Sequence, residues 1–195
     1  MVAETALVAI GANLPRPDGA SAIETCRRAV NELGSIPGMR VVAVSSWWES
    51  VPIPPDPASP PYINGVARLE GEAAPEALLA ALHAIEDTAG RARPYVNAPR
   101  VLDLDLIDLG GRVRDGPKLV LPHPRAHLRA FVLRPLAEVA PGWVHPLLRQ
   151  PVEALIEALE PQEIRRVAGD RTKGAVSGPD GLTCRGFAPP NHLTK

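Results

Sequence analysis

The sequence of 195 residues contains little cysteine and few aromatic residues. Its two cysteines, Cys26 and Cys184, lie far apart and in no metal-binding spacing, so we expect neither a disulfide framework nor a cysteine-bound zinc. Cys26 falls on the apolar face of a predicted helix, where a buried free thiol is expected. With three Trp, two Tyr and two Phe, rings that could stack on a flat ligand are scarce.

Long hydrophobic runs and an excess of one charge are also missing. No apolar run approaches the roughly 18 residues that span a membrane, and no basic segment precedes the first apolar stretch, so we expect a soluble, cytoplasmic protein. Lys and Arg total 21 against 22 Asp and Glu, a formal net charge of −1, which argues against general binding of nucleic acid. A phosphate ligand would need a local cluster of basic side chains.

The length and the 45% hydrophobic content fit one core with an appendage. We expect one domain over residues 1–147. Residues 148–195 are expected to form an amphipathic helix after Pro151 and then a weakly ordered tail from about Glu160, where Gly, Pro and Thr become frequent.

The apolar periodicity predicts alternating strands and helices. A buried strand over residues 5–10 ends at Gly11, and Ser21 with Glu24 forms a capping box for a helix that ends at Gly34. The other predicted elements are strands over 39–47 and 63–69, a helix from Pro75 to Gly90, and a strand after Arg100. The order is the ferredoxin-like βαββαβ arrangement, an α+β fold in which helices pack on one face of an antiparallel sheet.

Less regular segments interrupt and follow this core. A proline-rich loop over residues 50–61 is expected to run as an extended excursion between the two middle strands. Beyond the core, we expect a hairpin over residues 112–121 that turns at Asp115-Gly116, and a short helix over residues 126–133 that Pro135 interrupts.

The segment that begins at Arg100 carries the clearest chemical signal. Asp103 and Asp105 are two residues apart, so on a strand they share one face, roughly 6.6 Å apart, while the neighbouring leucines face the core. With no basic residue between them, the pair is costly unless a cation neutralises it, and Mg²⁺ held by carboxylates and substrate phosphate would suit. The alternative is an ordinary half-exposed strand whose aspartates face solvent.

Further motifs flank this segment in an informative order. They are VAIGANL from Val8, VSSWWES from Val44, YINGV from Tyr62, EDTAGRAR from Glu86, the APR and LDLDLI that follow it, Pro122-His123, and PLAEVAP from Pro135. Together, over about residues 5–147, they resemble the signature of 6-hydroxymethyl-7,8-dihydropterin pyrophosphokinase, an enzyme family of the folate pathway.

The resemblance implies transfer of the β,γ-diphosphate of ATP to the hydroxymethyl oxygen of a reduced pterin, with release of AMP. Such chemistry depends on alignment and on charge neutralisation, which two Mg²⁺ ions on Asp103 and Asp105 would supply. The catalytic residues that it implies are Arg91, Arg100 and His123. The ATP contacts that it implies are Glu86, Arg93, Lys118, His123 and Arg129.

The resemblance also implies a pocket for the pterin ring. Tyr62 and Phe131 match the stacking positions, and Asn64 matches the amide that contacts the edge of the ring. Ser50, Val51 and Ile53 align with the loop that completes the pocket, and Gly11 and Asn13 are expected to shape its floor. The chain departs from the family at Val96-Asn97-Ala98, where the loop is one residue shorter, at Pro124 and at Val51. None of these changes removes a metal ligand, so we expect activity.

Two alternative functions explain fewer of these residues. A two-metal phosphohydrolase or nucleotidyltransferase would leave Tyr62, Asn64 and Phe131 without a role. A ferredoxin-like RNA-binding module needs exposed aromatic residues on its central strands and a basic surface, which this sequence lacks. We therefore expect ATP and the pterin as the only partners, with no nucleic acid and no membrane, and a monomeric chain.

Overall fold

An antiparallel sheet lies at the centre of the chain in a computed structural model, which describes residues 3–52, 59–90 and 100–168. The elements in chain order are β1 (Glu4–Ala12), α1 (Ala22–Leu33), β2 (Met39–Val44), β3 (Trp48–Ser50), β4 (Tyr62–Gly71), α2 (Pro75–Thr88), β5 (Asp103–Leu109), β6 (Arg114–Asp115), β7 (Val120–Leu121), a 3₁₀ turn (Ala126–Leu128), α3 (Ala130–Val139), α4 (Val152–Glu157) and β8 (Ile164–Arg166).

The strand order of the main sheet is β5-β1-β4-β3-β8, with β2 also pairing with β4. All of these pairs are antiparallel. The predicted ferredoxin-like α+β fold is therefore confirmed. The strand expected over residues 39–47 is shorter in the structure: β2 ends at Val44, and a separate strand, β3, begins only at Trp48. Between them the Ser45 hydroxyl accepts a hydrogen bond from the Val66 N–H of β4 at 2.9 Å.

Helices cover both faces of the sheet, not one as expected. On one face, α1 and α2 bury apolar residues against Val8 and Ile10 of β1. On the other, α3 and α4 pack against Leu7, Val66 and Ile107. Alternate residues of a strand point to opposite faces, so a β1 that is apolar on both faces requires a layer on each.

Three expectations about element boundaries were wrong. β1 continues through Gly11 to Ala12, because it pairs along its whole length with β4. The helix expected over residues 126–133 begins only at Ala130, after a separate 3₁₀ turn, and Pro135 does not end it: α3 continues to Val139 with Pro135 inside it. The expected hairpin forms from β6 and β7, but its turn is closed by the Gly116 N–H, which donates to the Leu119 carbonyl at 3.2 Å.

The expectation of a weakly ordered tail from Glu160 is wrong for residues 164–166. These residues form β8, which pairs with β3. Two ion pairs hold it: Arg165 to Glu49 at 2.5 Å and Arg166 to Glu138 of α3 at 2.7 Å. Arg165 and Arg166 therefore attach this segment to the sheet and to α3.

Two further observations concern the buried thiol and the length of the helices. Cys26 is fully buried on α1, and burial raises the pKa of its thiol. Within the described ranges, no helix combines the length and the apolar character needed to cross a bilayer.

We predict that Gly65→Ala destabilises the fold by about 1–3 kcal/mol, the usual cost of overpacking a core. A Cβ at Gly65 would lie 2.5 Å from Cζ3 of Trp47, whose ring is almost completely buried and has no room to shift. Urea unfolding followed by circular dichroism measures the change. Gly116→Ala is the matched control, because its nearest neighbour would be a carbonyl oxygen at an ordinary 3.5 Å. Equal stability of the two variants would contradict the prediction.

Candidate active site

The two aspartates lie on the sheet face that α3 covers. Asp103 and Asp105 alternate with Leu104 along β5, and they share a side with Ile107, which packs in the α3 core. Across the sheet, Asp103 pairs with Gly11 and Asp105 with Ala9 of β1. The predicted arrangement of two carboxylates on one face is thus present, beyond the end of the apolar layer.

Basic side chains surround these carboxylates. Arg100 forms an ion pair with Asp103. On the other side, His123 Nε2 lies 3.7 Å and an Arg129 guanidinium nitrogen 3.9 Å from Asp105 Oδ2. The like charges of the two aspartates are thus offset by basic groups from outside the pair, one from the segment before β5 and two from beyond β7.

The protonation equilibria reflect this mixture of burial and charge. Burial raises the pKa of Asp105, and the Asp103 carboxylate adds to the rise, while His123, Arg129 and Arg100 oppose it. Burial lowers the pKa of His123, Arg129 and Arg125 lower it further, and Asp105 acts in the opposite direction. Burial alone would lower the pKa of Arg100, but the Asp103 carboxylate reverses the direction, so this guanidinium stays charged.

Backbone hydrogen bonds fix the orientation of His123. Its N–H donates to the Ile107 carbonyl of β5 at 2.9 Å, which attaches the segment after β7 to the aspartate strand. Its Nδ1 accepts from the Arg125 N–H at 3.2 Å. In the neutral imidazole the proton consequently sits on Nε2, the atom that faces Asp105.

The residues assigned to the pterin lie two strands away. Asn64 is opposite Gly11 on β4, and its amide donates to the Ser50 hydroxyl at 3.0 Å and to the Tyr62 carbonyl at 3.3 Å. Gly11 separates Asn64 from Asp103: a Cβ built on it would lie 3.7 Å from Asn64 Oδ1 and 4.0 Å from Asp103 Cβ. The absence of a side chain at Gly11 leaves an open floor between the amide and the acids.

The two rings assigned to the pterin lie at the starts of β4 and α3. Tyr62 is half-buried, pairs with Ser50 of β3 and shares the face of β4 that carries Asn64. Phe131 is half-buried, with the Arg129 guanidinium 5.4 Å from its ring centroid. Val51 is 36% exposed next to Ser50. Tyr62 is thus on the Asn64 side of the floor, whereas Phe131 lies beside Arg129, which is close to Asp105.

The two remaining expected ATP contacts within the described residues occupy different settings. Glu86 is fully buried on α2, and its carboxylate accepts a hydrogen bond from the Leu104 N–H at 2.9 Å. It thus holds the backbone between the two aspartates. Lys118 is exposed in the turn between β6 and β7, where it lines a surface depression with Glu76 and Arg114. Ile53, Arg91 and Arg93, which were also assigned to the site, lie outside the described residues.

Asn13 has a larger role in the structure than a residue of the pocket floor. Its side chain is buried and makes hydrogen bonds to segments on both sides of the site. A Gly-Asn pair after a strand is a common turn signal, so the sequence alone gave no sign of these distant contacts.

The donor set of the two aspartates suits Mg²⁺. Within residues 3–52, 59–90 and 100–168, no cluster of three or more His, Cys, Asp or Glu could hold a metal ion. Mg²⁺ does not need such a cluster, because it usually takes one or two protein carboxylates and completes its shell with water and substrate phosphate. Asp103 and Asp105, both partly exposed on one face, fit that requirement.

Comparison with known proteins places the chain in a family. The family model for 7,8-dihydro-6-hydroxymethylpterin-pyrophosphokinase matches residues 7–141. The chain belongs to this family. The expected resemblance is thus confirmed, and with it the enzyme class, a pyrophosphokinase of folate biosynthesis; neither alternative function finds support.

Curated relatives carry the corresponding enzyme name. A 2-amino-4-hydroxy-6-hydroxymethyldihydropteridine pyrophosphokinase of Synechocystis is 36% identical over 94% of this chain and 89% of its own length. One from Pseudomonas aeruginosa is 42% identical over 69% of this chain and 79% of its own length. The match to the Synechocystis protein extends beyond residue 141, where the family model ends.

Solved structures confirm the fold. A crystal structure titled as HPPK-DHPS in complex with substrates aligns with a TM-score of 0.62 at 11% identity, over 80% of this chain and 43% of that chain. The wild-type Plasmodium falciparum HPPK-DHPS gives 0.60 at 12% identity, over 80% of this chain and 44% of that one. This chain thus spans less than half the length of those proteins, and the likeness concerns the fold alone.

We predict that His123 in the metal-free protein titrates below the ordinary histidine pKa of about 6.5, because the neutral form suits its buried position better. Asp105→Asn should lower this pKa further, since it removes the carboxylate that favours the charged form. Histidine ring resonances followed by NMR across pH 4–8, about the ordinary range of histidine titration, measure both values. A midpoint above 6.5, or a rise in Asp105→Asn, would contradict the assignment.

Proposed function

We propose that this chain carries out its family's reaction at the site between β5, β4 and α3. The hydroxymethyl oxygen of 6-hydroxymethyl-7,8-dihydropterin forms a bond to the β-phosphorus of ATP, the bond from that phosphorus to the α,β-bridging oxygen breaks, AMP leaves, and one proton is released. The observation that supports this best is the open floor at Gly11, which has the paired aspartates on one side and the Asn64 amide on the other.

The phosphate side of the site is built for charge. Arg100, His123 and Arg129 converge on the two aspartates. In the absence of nucleotide these groups neutralise one another. When a triphosphate binds, its oxygens offer the arginines a better partner, because charge-assisted contacts to phosphate can be bidentate and strengthen as charge develops on the transferring group.

Asp103 and Asp105 would hold Mg²⁺ together with the triphosphate. A bound Mg²⁺ would supply charge neutralisation and polarise the phosphoryl group. Arg100 would then have to exchange Asp103 for a phosphate oxygen. It remains a cation throughout this exchange, because a guanidinium keeps its proton in proteins and either partner, the carboxylate or a phosphate, favours its charged form. Glu86 has no direct part: it keeps β5 in register through the Leu104 N–H.

The pterin side of the site is built for a flat, polar heterocycle. Asn64 is held by the Ser50 hydroxyl and by backbone carbonyls, and these contacts leave its Oδ1 directed toward the open position at Gly11. An amide oxygen in that place can accept hydrogen bonds from ring N–H groups. Tyr62 and Phe131 would stack on the ring, and Arg129 lies close enough to Phe131 to link the two halves of the site.

Release of AMP that requires both the pterin alcohol and Mg²⁺ tests the function directly. We expect stoichiometric AMP and pterin diphosphate, measured by chromatography. ADP as the nucleotide product, or turnover without pterin, would contradict the proposal.

Asp105→Asn should lower turnover by more than the roughly 10–100-fold typical of changes in the outer shell of a metal site, because it removes a ligand itself. Mg²⁺ titration of the AMP-release rate measures the shift in metal requirement. Asp115→Asn is the matched control, since the same charge is removed from an exposed position on the hairpin. Equal activity of the two variants would exclude a metal role for Asp105.

Arg100→Ala should lower kcat by about 10²–10³-fold with a smaller change in KM for ATP, if its contact belongs mainly to the transition state. Steady-state kinetics with varied ATP separate the two parameters. Arg28→Ala is the control, because Arg28 lies on α1, in the helical layer on the opposite face of the sheet, and forms an exposed ion pair with Asp18. A change confined to KM would assign Arg100 to ground-state binding instead.

A further inference from the structure

Asn13 connects the two halves of the site through its own hydrogen bonds. It follows β1, and its side chain is 3% exposed, so its polar atoms depend on protein partners. We propose that Asn13 is a positioning residue that couples pterin binding to ATP binding. This inference rests on the proposed function, because it concerns how the two substrates of that reaction affect each other.

On the phosphate side, three hydrogen bonds fix the backbone of Arg100. The Arg100 N–H donates to Asn13 Oδ1 at 2.7 Å. In return, the backbone N–H groups of Asn13 and Leu14 both donate to the Arg100 carbonyl at 3.0 Å. Arg100 precedes Asp103 by three residues, so this clamp sets where the aspartate strand begins.

On the pterin side, the amide nitrogen of the same residue holds the chain that leads into β4. Asn13 Nδ2 donates to the Ser59 hydroxyl at 3.0 Å and to the Pro60 carbonyl at 3.1 Å. Tyr62 begins β4 two residues after Pro60. The position of this stacking ring therefore depends on the segment that Asn13 fixes.

One buried amide thus holds two segments, one on the ATP side and one on the pterin side of the proposed site. Its oxygen accepts from the Arg100 N–H, and its nitrogen donates to Ser59 and Pro60. A single orientation of the amide therefore satisfies both segments at once. A ligand that orders either segment orders Asn13 as well, and the second ligand then loses less conformational freedom on binding. Positive coupling between the substrates follows, and it must be reciprocal.

The chemistry of Asn13 allows one half of the connection to be removed. Asn13→Asp keeps an oxygen that can accept from the Arg100 N–H, but it loses the N–H₂ that donates to Ser59 and Pro60. Ser59→Ala removes one acceptor from the same half without any change of charge. Asn13→Leu, which has a similar shape, removes both halves. Asn31→Asp is the matched control, because it makes the same chemical change at an exposed position on α1.

The experiment measures the Kd of 6-hydroxymethyl-7,8-dihydropterin by isothermal titration calorimetry, with and without saturating Mg²⁺ and α,β-methylene-ATP. For the wild type and Asn31→Asp, we expect the nucleotide to tighten pterin binding by at least about 5-fold, the lower end of typical coupling between sites. In Asn13→Asp the ratio should fall toward 1, and in Ser59→Ala to an intermediate value. The ratio is the Kd of the pterin without nucleotide divided by its Kd with nucleotide. Between the wild type and Asn13→Asp, the Kd without nucleotide should change by a smaller factor than this ratio.

The outcomes separate the possible failures. A residue of merely structural importance would lower the melting temperature and weaken both pterin measurements equally, which would leave the ratio unchanged and overturn the inference. An unchanged ratio in Asn13→Asp and Ser59→Ala would overturn it even if Asn13→Leu fails to fold. A wild type that binds both ligands without coupling would also overturn it. A wild type that releases no AMP in a pterin-dependent assay would instead refute the proposed function.

Discussion

The site depends on the pairing of β1 with β5 on one side and with β4 on the other. This central strand is apolar on both faces, and its burial between two helical layers fixes the register of its neighbours. Register then decides the chemistry, because a shift of one residue would turn Asp103 and Asp105 into the α1–α2 core. The aspartates, Gly11 and Asn64 thus lie in line as a consequence of how β1 is packed.

The electrostatics of the site follow from a second constraint, the meeting of opposite charges at a partly buried position. Three basic groups and two acids share a small surface between β5 and the start of α3. Without substrate they balance each other, which limits the cost of holding like charges together. When a highly charged ligand binds, the basic side chains can leave the aspartates and contact the ligand instead. The net charge that the protein must bury then changes little.

Much of this was predictable from the sequence, and the remainder has identifiable causes. Local patterns were sufficient for α1, with its capping box at Ser21 and Glu24, and for the strand alternation that places the two aspartates on one face. Contacts between distant segments were not predictable. The hydrogen bond from Leu104 to Glu86 and the attachment of β8 by Arg165 each join residues whose separation in sequence hides their proximity. The resemblance supplied the roles of Tyr62 and Asn64 and the grouping of His123 and Arg129 with the aspartates, which composition and periodicity alone would not have indicated.

The short strand β8 has a consequence for the behaviour of the protein in concentrated solution. It ends the sheet beside β3, and its two arginines are tied to carboxylates of β3 and α3. An exposed sheet edge with free N–H and carbonyl groups invites strands from other molecules to join it. A strand from another molecule could pair with the edge of β3 only by displacing β8, which would separate two guanidinium–carboxylate pairs, so these charges protect β3 against intermolecular β-pairing.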